Sequence, residues 1–358
     1  MTNPNILPNA LAAIGNTPIV RLSRTVKQWN GKPTTANFYA KLEFMNPGGS
    51  VKDRIGGYLI EDAEKRGELK PGGTVVEATS GNTGIGLGMA AAIKGYKSIF
   101  VLPDKMSAEK INLLRAFGAE VILTPTAVEP TDPKSHYSVA RRIAKDTPNS
   151  FLVNQYDNLA NRRAHYERTG PEIFRQMPEI DALVAGMGTG GTITGTGQYL
   201  KEKKKSVKLI CADPVGSIIH EVFTTGKQMK PGSPYKVEGI GEDFIPKNFE
   251  LPLLDAVIPV NDVESLTMAR RLLTEEGLFA GTSAGTAVVA ALKWAEDQGV
   301  EAAGKNILVI LPDSGDRYMS KLWNDAWMEE NGIFDAKSVR MPRVTYIDGA
   351  KTPYGLKS

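Results

Sequence analysis

Short apolar runs alternate along the chain with longer stretches whose starts are marked by glycine, serine, threonine or asparagine. Thr74-Val75-Val76-Glu77-Ala78 and Ser98–Leu102 read as buried strands, the second closed by Pro103. Between them a Gly-rich turn and a helical pattern over about Asn82–Lys94 complete one βαβ unit. A helix over Glu109–Phe117, capped by Gly118, leads into a strand at Glu120–Leu123. A second series starts with the strand Ala182–Ala185, passes a Gly-rich turn and a helix to about Lys204, and reaches the strand Lys208–Ala212. Asn306–Leu311 is a late strand of the same kind. This alternation predicts an α/β fold on largely parallel sheets. Two series parted near residue 150 predict two α/β lobes with a cleft between them. The smaller covers 50–155 and the larger 1–49 and 156–335, with 336–358 as a Pro-, Gly- and Lys-rich tail. Sites in such sheets lie beyond the carboxyl ends of the strands, where these turns fall.

Composition narrows the function. Hydrophobic residues at 41% and charged residues at 23% exclude wholesale disorder. With 43 basic against 40 acidic residues, the net charge of +3 argues against a nucleic-acid partner. The single cysteine, Cys211, allows neither an intrachain disulfide nor a thiolate metal cage, so no metal is expected. No apolar run of about 18 residues is present, so no membrane partner is expected. Ala10-Leu11-Ala12 lacks the basic and apolar regions that precede a secretory cleavage site, and a reducing, cytoplasmic setting is expected. The run Lys201–Lys205 reads as a solvated helix end, where cations suit the dipole. Glycine is the unusual figure: 36 of 358 residues, gathered without a fixed period into short loops.

Those loops carry the chemistry. Gly186-Met187-Gly188-Thr189-Gly190-Gly191-Thr192 lies between a strand and a helix, where backbone N–H groups and the helix dipole favour an anion. Gly186, Gly188 and Gly191 also satisfy a dinucleotide fingerprint, with Asp213 as the acidic residue at the end of the next strand. A nicotinamide-dependent dehydrogenase therefore also fits this loop. Thr79-Ser80-Gly81-Asn82-Thr83-Gly84 offers hydroxyls, an amide and free backbone donors at another helix start, a set suited to a carboxylate or polar ring substituent. Gly281-Thr282-Ser283-Ala284-Gly285-Thr286 opens a third helix. In Asn46–Arg54, Ser50 and Asp53 resemble a capping box, which puts Lys52 in the first helical turn. There the dipole and partial burial both disfavour an ammonium, and a neutral amine is what Schiff-base chemistry requires. The three histidines, His136, His165 and His220, sit in no triad or metal motif, and His165 reads as structural.

Together, Gly48–Arg54, Thr79–Gly84 and Gly188–Thr192 resemble the cysteine synthase and cystathionine β-synthase family of fold-type II pyridoxal-phosphate enzymes, over about Leu7 to Trp327. The resemblance implies a tryptophan synthase β-like fold. Val237–Gly241 with Asp243–Pro246, and Pro312-Asp313-Ser314 with Arg317-Tyr318-Met319 and Asp325–Met328, are similar to the cystathionine β-synthase branch. Glu242 departs from the aromatic residue of animal members.

The resemblance implies that Lys52 bonds to pyridoxal 5'-phosphate and moves the proton at the substrate Cα. Asn82 would meet the ring oxygen, Gly188, Thr189, Gly190, Gly191 and Thr192 the phosphate, and Ser283, with Pro312 nearby, the ring nitrogen. Thr79, Ser80, Thr83 and Gln155 would hold the amino-acid carboxylate, with Tyr156, Glu238 and Gly241 toward the second substrate. The implied reaction is β-replacement of L-serine with L-homocysteine to give L-cystathionine in transsulfuration, with hydrogen sulfide from cysteine as a side activity. Cysteine synthesis from O-acetylserine and sulfide competes with it, as does a non-catalytic scaffold role. Small amino acids and thiols are the expected partners, and a homodimer the expected assembly. A haem-binding segment and a tandem regulatory module, both found in the family, are not expected in this chain.

Overall fold

The apolar runs form two sheets in the computed structural model, which describes residues 6–79, 81–104, 106–129, 131–229, 231–334 and 339–342. Ser80 and nearly all of the expected tail lie outside the described residues. In chain order come β1 (Ile19–Arg21), a short hairpin of β2 (Gln28–Trp29) and β3 (Lys32–Pro33), and β4 (Asn37–Leu42). Next are β5 (Thr74–Ala78), β6 (Lys97–Pro103), β7 (Glu120–Thr124) and β8 (Ser150–Leu152), followed by β9 (Ala182–Gly186), β10 (Lys208–Pro214), β11 (Ala256–Val260) and β12 (Asn306–Leu311). A four-stranded sheet has the order β7-β6-β5-β8, all parallel. A six-stranded sheet has the order β1-β4-β12-β9-β10-β11, parallel except where β1 meets β4.

The strands read from sequence sit where the pattern puts them, and most are runs covered on both faces, while β7 at the edge of the small sheet leaves Leu123 exposed. Val75, Phe100, Leu183, Leu209 and Leu308 are fully buried. The helix Thr282–Gln298 is buried along most of its length and packs under the large sheet among Val184, Ile210 and Val309.

β4 escaped the pattern because Lys41 interrupts it. That lysine is fully buried, and its Nζ donates to Glu172 at 2.5 Å and to the Thr17 carbonyl. Arg54 completes the cluster, bridging Glu43 at 2.6 and 2.8 Å and Glu172 at 2.8 and 2.9 Å. Buried charges persist only when paired in this way. Through Arg54 the cluster pins the first turn of the helix Asp53–Lys65, which starts one residue beyond Lys52.

The capping box expected at Ser50 and Asp53 does not form. Ser50 Oγ accepts the Lys52 N–H, and Asp53 Oδ2 reaches back to the Gly48 N–H at 2.7 Å. Lys52 is therefore the N-cap residue, one position before the first turn, and the loop is held by Asp53. Close helix packing fixes its depth. A Cβ on Gly86 of the helix Asn82–Lys94 would lie 2.6 Å from the Lys52 carbonyl oxygen, so only glycine fits.

Candidate active site

A cavity opens beyond the carboxyl ends of β9 and β12. On one side it is lined by Val51, Lys52 and Asn82, and on the other by the loop from Gly186 to Thr192. Ser283, Pro312 and Asp313 form its floor, and Glu238 to Ile240 its rim. Nine of the residues singled out from sequence thus meet in one place: Lys52, Asn82, Gly188, Thr189, Gly190, Thr192, Ser283, Pro312 and Glu238.

Backbone bonds stitch these loops together. The Val51 N–H donates to the Pro312 carbonyl at 2.8 Å, and the Ser314 N–H to the Gly49 carbonyl at 3.2 Å. The Gly281 N–H donates to the Asp313 carbonyl at 2.9 Å. One segment, 312–314, therefore carries both the lysine loop and the entry to the Ser283 helix.

Lys52 Nζ has no hydrogen-bond partner among the described residues. Burial pushes its pKa below the ordinary lysine value, partly opposed by the carboxylates of Asp313 and Glu242. The result is an amine with enhanced nucleophilic character that is free to bond to a ligand.

Across the cavity, Gly190 adopts φ +81, and its Cβ would strike Phe249. A Cβ at Gly188 would meet the Gly239 carbonyl at 2.6 Å. The backbone N–H groups of Gly188, Thr189 and Gly190 have no partner among the described residues, and the helix Gly191–Lys203 adds its dipole behind them. Such a cradle takes an anion.

Asn82 is held by two groups that its sequence context does not disclose. Its Nδ2 donates to Asp313 Oδ2 at 2.8 Å, and its Oδ1 accepts from Arg317 at 2.5 Å. Tyr318 also donates to Asp313 Oδ2, at 2.6 Å, while Oδ1 of Asp313 is buried with no partner. That oxygen packs against Gly281, where a Cβ would lie 2.2 Å from it. Arg317 further donates to the Gly48 carbonyl. Ser283 Oγ has no hydrogen-bond partner among the described residues, and the residue lines the cavity at a helix start with a neutral hydroxyl.

The remaining residues singled out from sequence form a neighbouring group. Thr83 donates to Gln155 Oε1 at 2.6 Å, and Thr79 Oγ1 accepts the Gly81 N–H at 3.0 Å. Gln155 is held by Glu77, whose carboxylate accepts the N–H groups of Asn154 and Gln155 at 2.8 and 3.2 Å. Burial raises Glu77 to about 8. Tyr156 donates to Glu242 Oε1 at 3.1 Å, against Phe244 at 5.2 Å between ring centres. Gly241 and Gly191 do not line the cavity: Gly241 closes the rim through a 2.7 Å bond to the Met187 carbonyl. Gly191 begins the helix, where a Cβ would strike Asn161. Glu238 is clamped between Lys110 at 2.5 Å and Lys321 at 2.6 Å.

Sequence reasoning missed Arg317 and Tyr318 as parts of the site, and also Asn161, His165 and Lys110. Their bonds to Thr192, Thr189, Glu238, Asn82 and Gly48 span from 27 to 269 residues, beyond any local motif, while the reach of Tyr318 to Asp313 is short. Asp213, the acidic residue of the dinucleotide reading, is 2% exposed, and its Oδ2 accepts the His220 N–H rather than facing the cavity.

The amine, the glycine cradle and the neutral hydroxyl fit pyridoxal phosphate: an aldehyde partner, a phosphate seat and a ring-nitrogen contact. The pyridoxal-phosphate dependent enzyme family matches residues 10–313, and the chain belongs to it. Pyridoxal phosphate is its cofactor, which excludes the nicotinamide reading. Among known members, the chain is 49% identical to cystathionine β-synthase of Apis mellifera, over 92% of this chain and 64% of that protein. It is 44% identical to cysteine synthase 1 of Neurospora crassa, over 90% of this chain and 85% of that protein. The solved O-acetylserine dependent cystathionine β-synthase of Helicobacter pylori superposes with a TM-score of 0.79 at 39% identity, covering 88% of this chain and 98% of that one. The chain spans less than two thirds of the length of the Apis mellifera protein. Among the described residues no helix is long and apolar enough to cross a membrane, and no cluster of side chains could hold a metal ion.

Proposed function

We propose that this chain catalyses β-replacement on L-serine, joining it to L-homocysteine to give L-cystathionine and water. The observation that carries the reading is the free, buried amine of Lys52 facing a glycine anion cradle, with the Ser283 hydroxyl on the cavity floor. When bound, pyridoxal phosphate supplies the electron sink that lets the Cα proton and then the β-substituent leave. Lys52 takes the Cα proton at Nζ and returns it after the thiol has added at Cβ. Ser283, a neutral hydroxyl, does not force protonation of a ring nitrogen, which suits elimination over prolonged carbanion storage. Thr79, Ser80, Thr83 and Gln155 hold the amino-acid carboxylate, and Asn82, fixed by Asp313 and Arg317, orients the ring. The rim residues Glu238, Gly241 and Tyr156 meet the thiol substrate and limit entry of water.

The strongest support is the similarity to cystathionine β-synthases over nearly all of this chain. A second reading of the donor, O-acetylserine in place of serine, is favoured by the Helicobacter pylori structure, which is described by that dependence. Cysteine or sulfide as thiol would give hydrogen sulfide or cysteine, and a solved hydrogen sulfide-producing enzyme of Fusobacterium nucleatum is 36% identical. The single buried cysteine suits a reducing, cytoplasmic setting, and family analogy suits a homodimer without nucleic-acid or membrane partners.

Steady-state product analysis with each donor and thiol pair tests the reading. Cystathionine from serine plus homocysteine is expected. Turnover confined to O-acetylserine and sulfide would replace it with cysteine synthesis.

A further inference from the structure

Asn161 and His165 stand four residues apart on one continuous helical stretch and reach the same glycine loop. The stretch runs from Ala160–Ala164 through a π-helical turn, His165–Thr169, into Gly170–Gln176. π-turns recur at functional sites. A Cβ on Gly195 would lie 2.2 Å from the Arg162 carbonyl oxygen and 2.9 Å from His165 Cβ, so glycine lets this stretch lie against the loop's own helix.

The hydrogen bonds have a defined direction. Asn161 Nδ2 donates to the Gln155 carbonyl at 2.9 Å and to Thr189 Oγ1 at 3.0 Å. A carbonyl only accepts, so the amide is fixed and both its protons are used. Thr189 Oγ1 also accepts the Gly191 N–H at 3.4 Å, which leaves its own proton to donate elsewhere.

His165 behaves similarly. Its Nδ1 lies 2.9 Å from Thr169 Oγ1 and its Nε2 lies 3.1 Å from Thr192 Oγ1. Burial, and next the charges of Arg54 and Lys52, keep the ring neutral. The buried Thr169 hydroxyl has no other partner among the described residues, so its proton goes to Nδ1. The ring proton then sits on Nε2 and is donated to Thr192 Oγ1. Thr192 lines the cavity with its own O–H still to give.

We propose that Asn161 and His165 are positioning residues that turn the hydroxyl protons of Thr189 and Thr192 toward the cofactor phosphate, so that the loop presents donors only. The inference rests on the assignment of the 188–192 loop to that phosphate. Left to rotate, a threonine hydroxyl can equally present a lone pair to an anion. The two residues behind the loop remove that choice before the anion arrives, which is preorganisation in the sense that lowers the cost of binding.

The first test is nitrogen-15 NMR of the histidine-labelled holoenzyme, with the His165 signals assigned by their loss in His165→Gln. The expected form is the neutral ring protonated on Nε2. A ring protonated on Nδ1, or a charged ring, would overturn the inference. The second is equilibrium dialysis of pyridoxal phosphate and of phosphate-free pyridoxal. His165→Leu is expected to weaken pyridoxal phosphate on the order of 10-fold and leave pyridoxal unchanged. His165→Gln, whose amide donor can stand in for Nε2–H, should recover to within about threefold. Equal losses for both ligands in His165→Leu would mark a merely structural residue and overturn the proposal. Equal affinity of the unmodified protein for the two ligands would overturn the phosphate assignment itself.

Discussion

Gly86→Ala separates the positioning of Lys52 from the stability of the fold. The new Cβ would lie 2.6 Å from the Lys52 carbonyl oxygen and 3.1 Å from Asp53 Cα, both backbone atoms that cannot rotate away. Ordinary contact needs about 3.4 Å or more, so the lysine segment must retreat by close to 1 Å. Overpacking of this kind costs about 1–3 kcal/mol. Alanine returns up to about 1 kcal/mol of helix propensity, so the net loss is about 0–2 kcal/mol. A misplacement of about 1 Å at a reacting group costs on the order of 100-fold in rate. Turnover should therefore fall far more than stability. Gly88→Ala, in the same helix, is the control: its nearest neighbour is Phe117 Cβ at 3.3 Å, only about 0.1 Å inside ordinary contact. Steady-state rates and urea midpoints of both variants measure the contrast. Wild-type turnover in Gly86→Ala would refute the claim that this glycine sets the lysine's depth.

Further consequences concern the parts around the site. Arg54→Met leaves Glu43 and Glu172 buried without their shared guanidinium, and should cost about 3–5 kcal/mol in urea unfolding. Glu77 has a folded-state pKa of about 8, above its unfolded value, so its contribution to stability is fully present below about pH 4.5 and is lost as pH rises through about 8. Urea midpoints taken across that range should decline toward alkaline pH in the unmodified protein, and the decline should flatten in Glu77→Gln. Thr83→Val removes the 2.6 Å bond to Gln155 and should raise KM for the amino-acid donor on the order of 10-fold while kcat changes little.

How much of this was legible in sequence depended on the range of the forces involved. β9 and most of β12 are continuous apolar runs, and burial on both faces makes such runs self-announcing. The glycine turns were equally legible, because only glycine tolerates the φ of Gly190 or the close approach at Gly188. β4 was not, since Lys41 looks polar until Glu172, 131 residues away, is brought beside it. The lysine's place was read within one residue, yet for an incorrect reason: Ser50 Oγ takes the Lys52 N–H rather than that of Asp53, and Asp53 also holds Gly48. His165 read as structural because Thr192, its partner, lies 27 residues further on across a helix interface. The grip of Asp313 and Arg317 on Asn82 spans 231 and 235 residues, and no spacing rule connects them.

The central claim is that the Lys52 amine carries the cofactor in the cavity it shares with the 188–192 loop. Borohydride reduction of the purified protein, digestion and mass spectrometry test it directly. The account predicts one phosphopyridoxyl-labelled peptide, modified at Lys52, with no label in Lys52→Ala. A label on another lysine, or an unlabelled protein that still forms cystathionine, would contradict it.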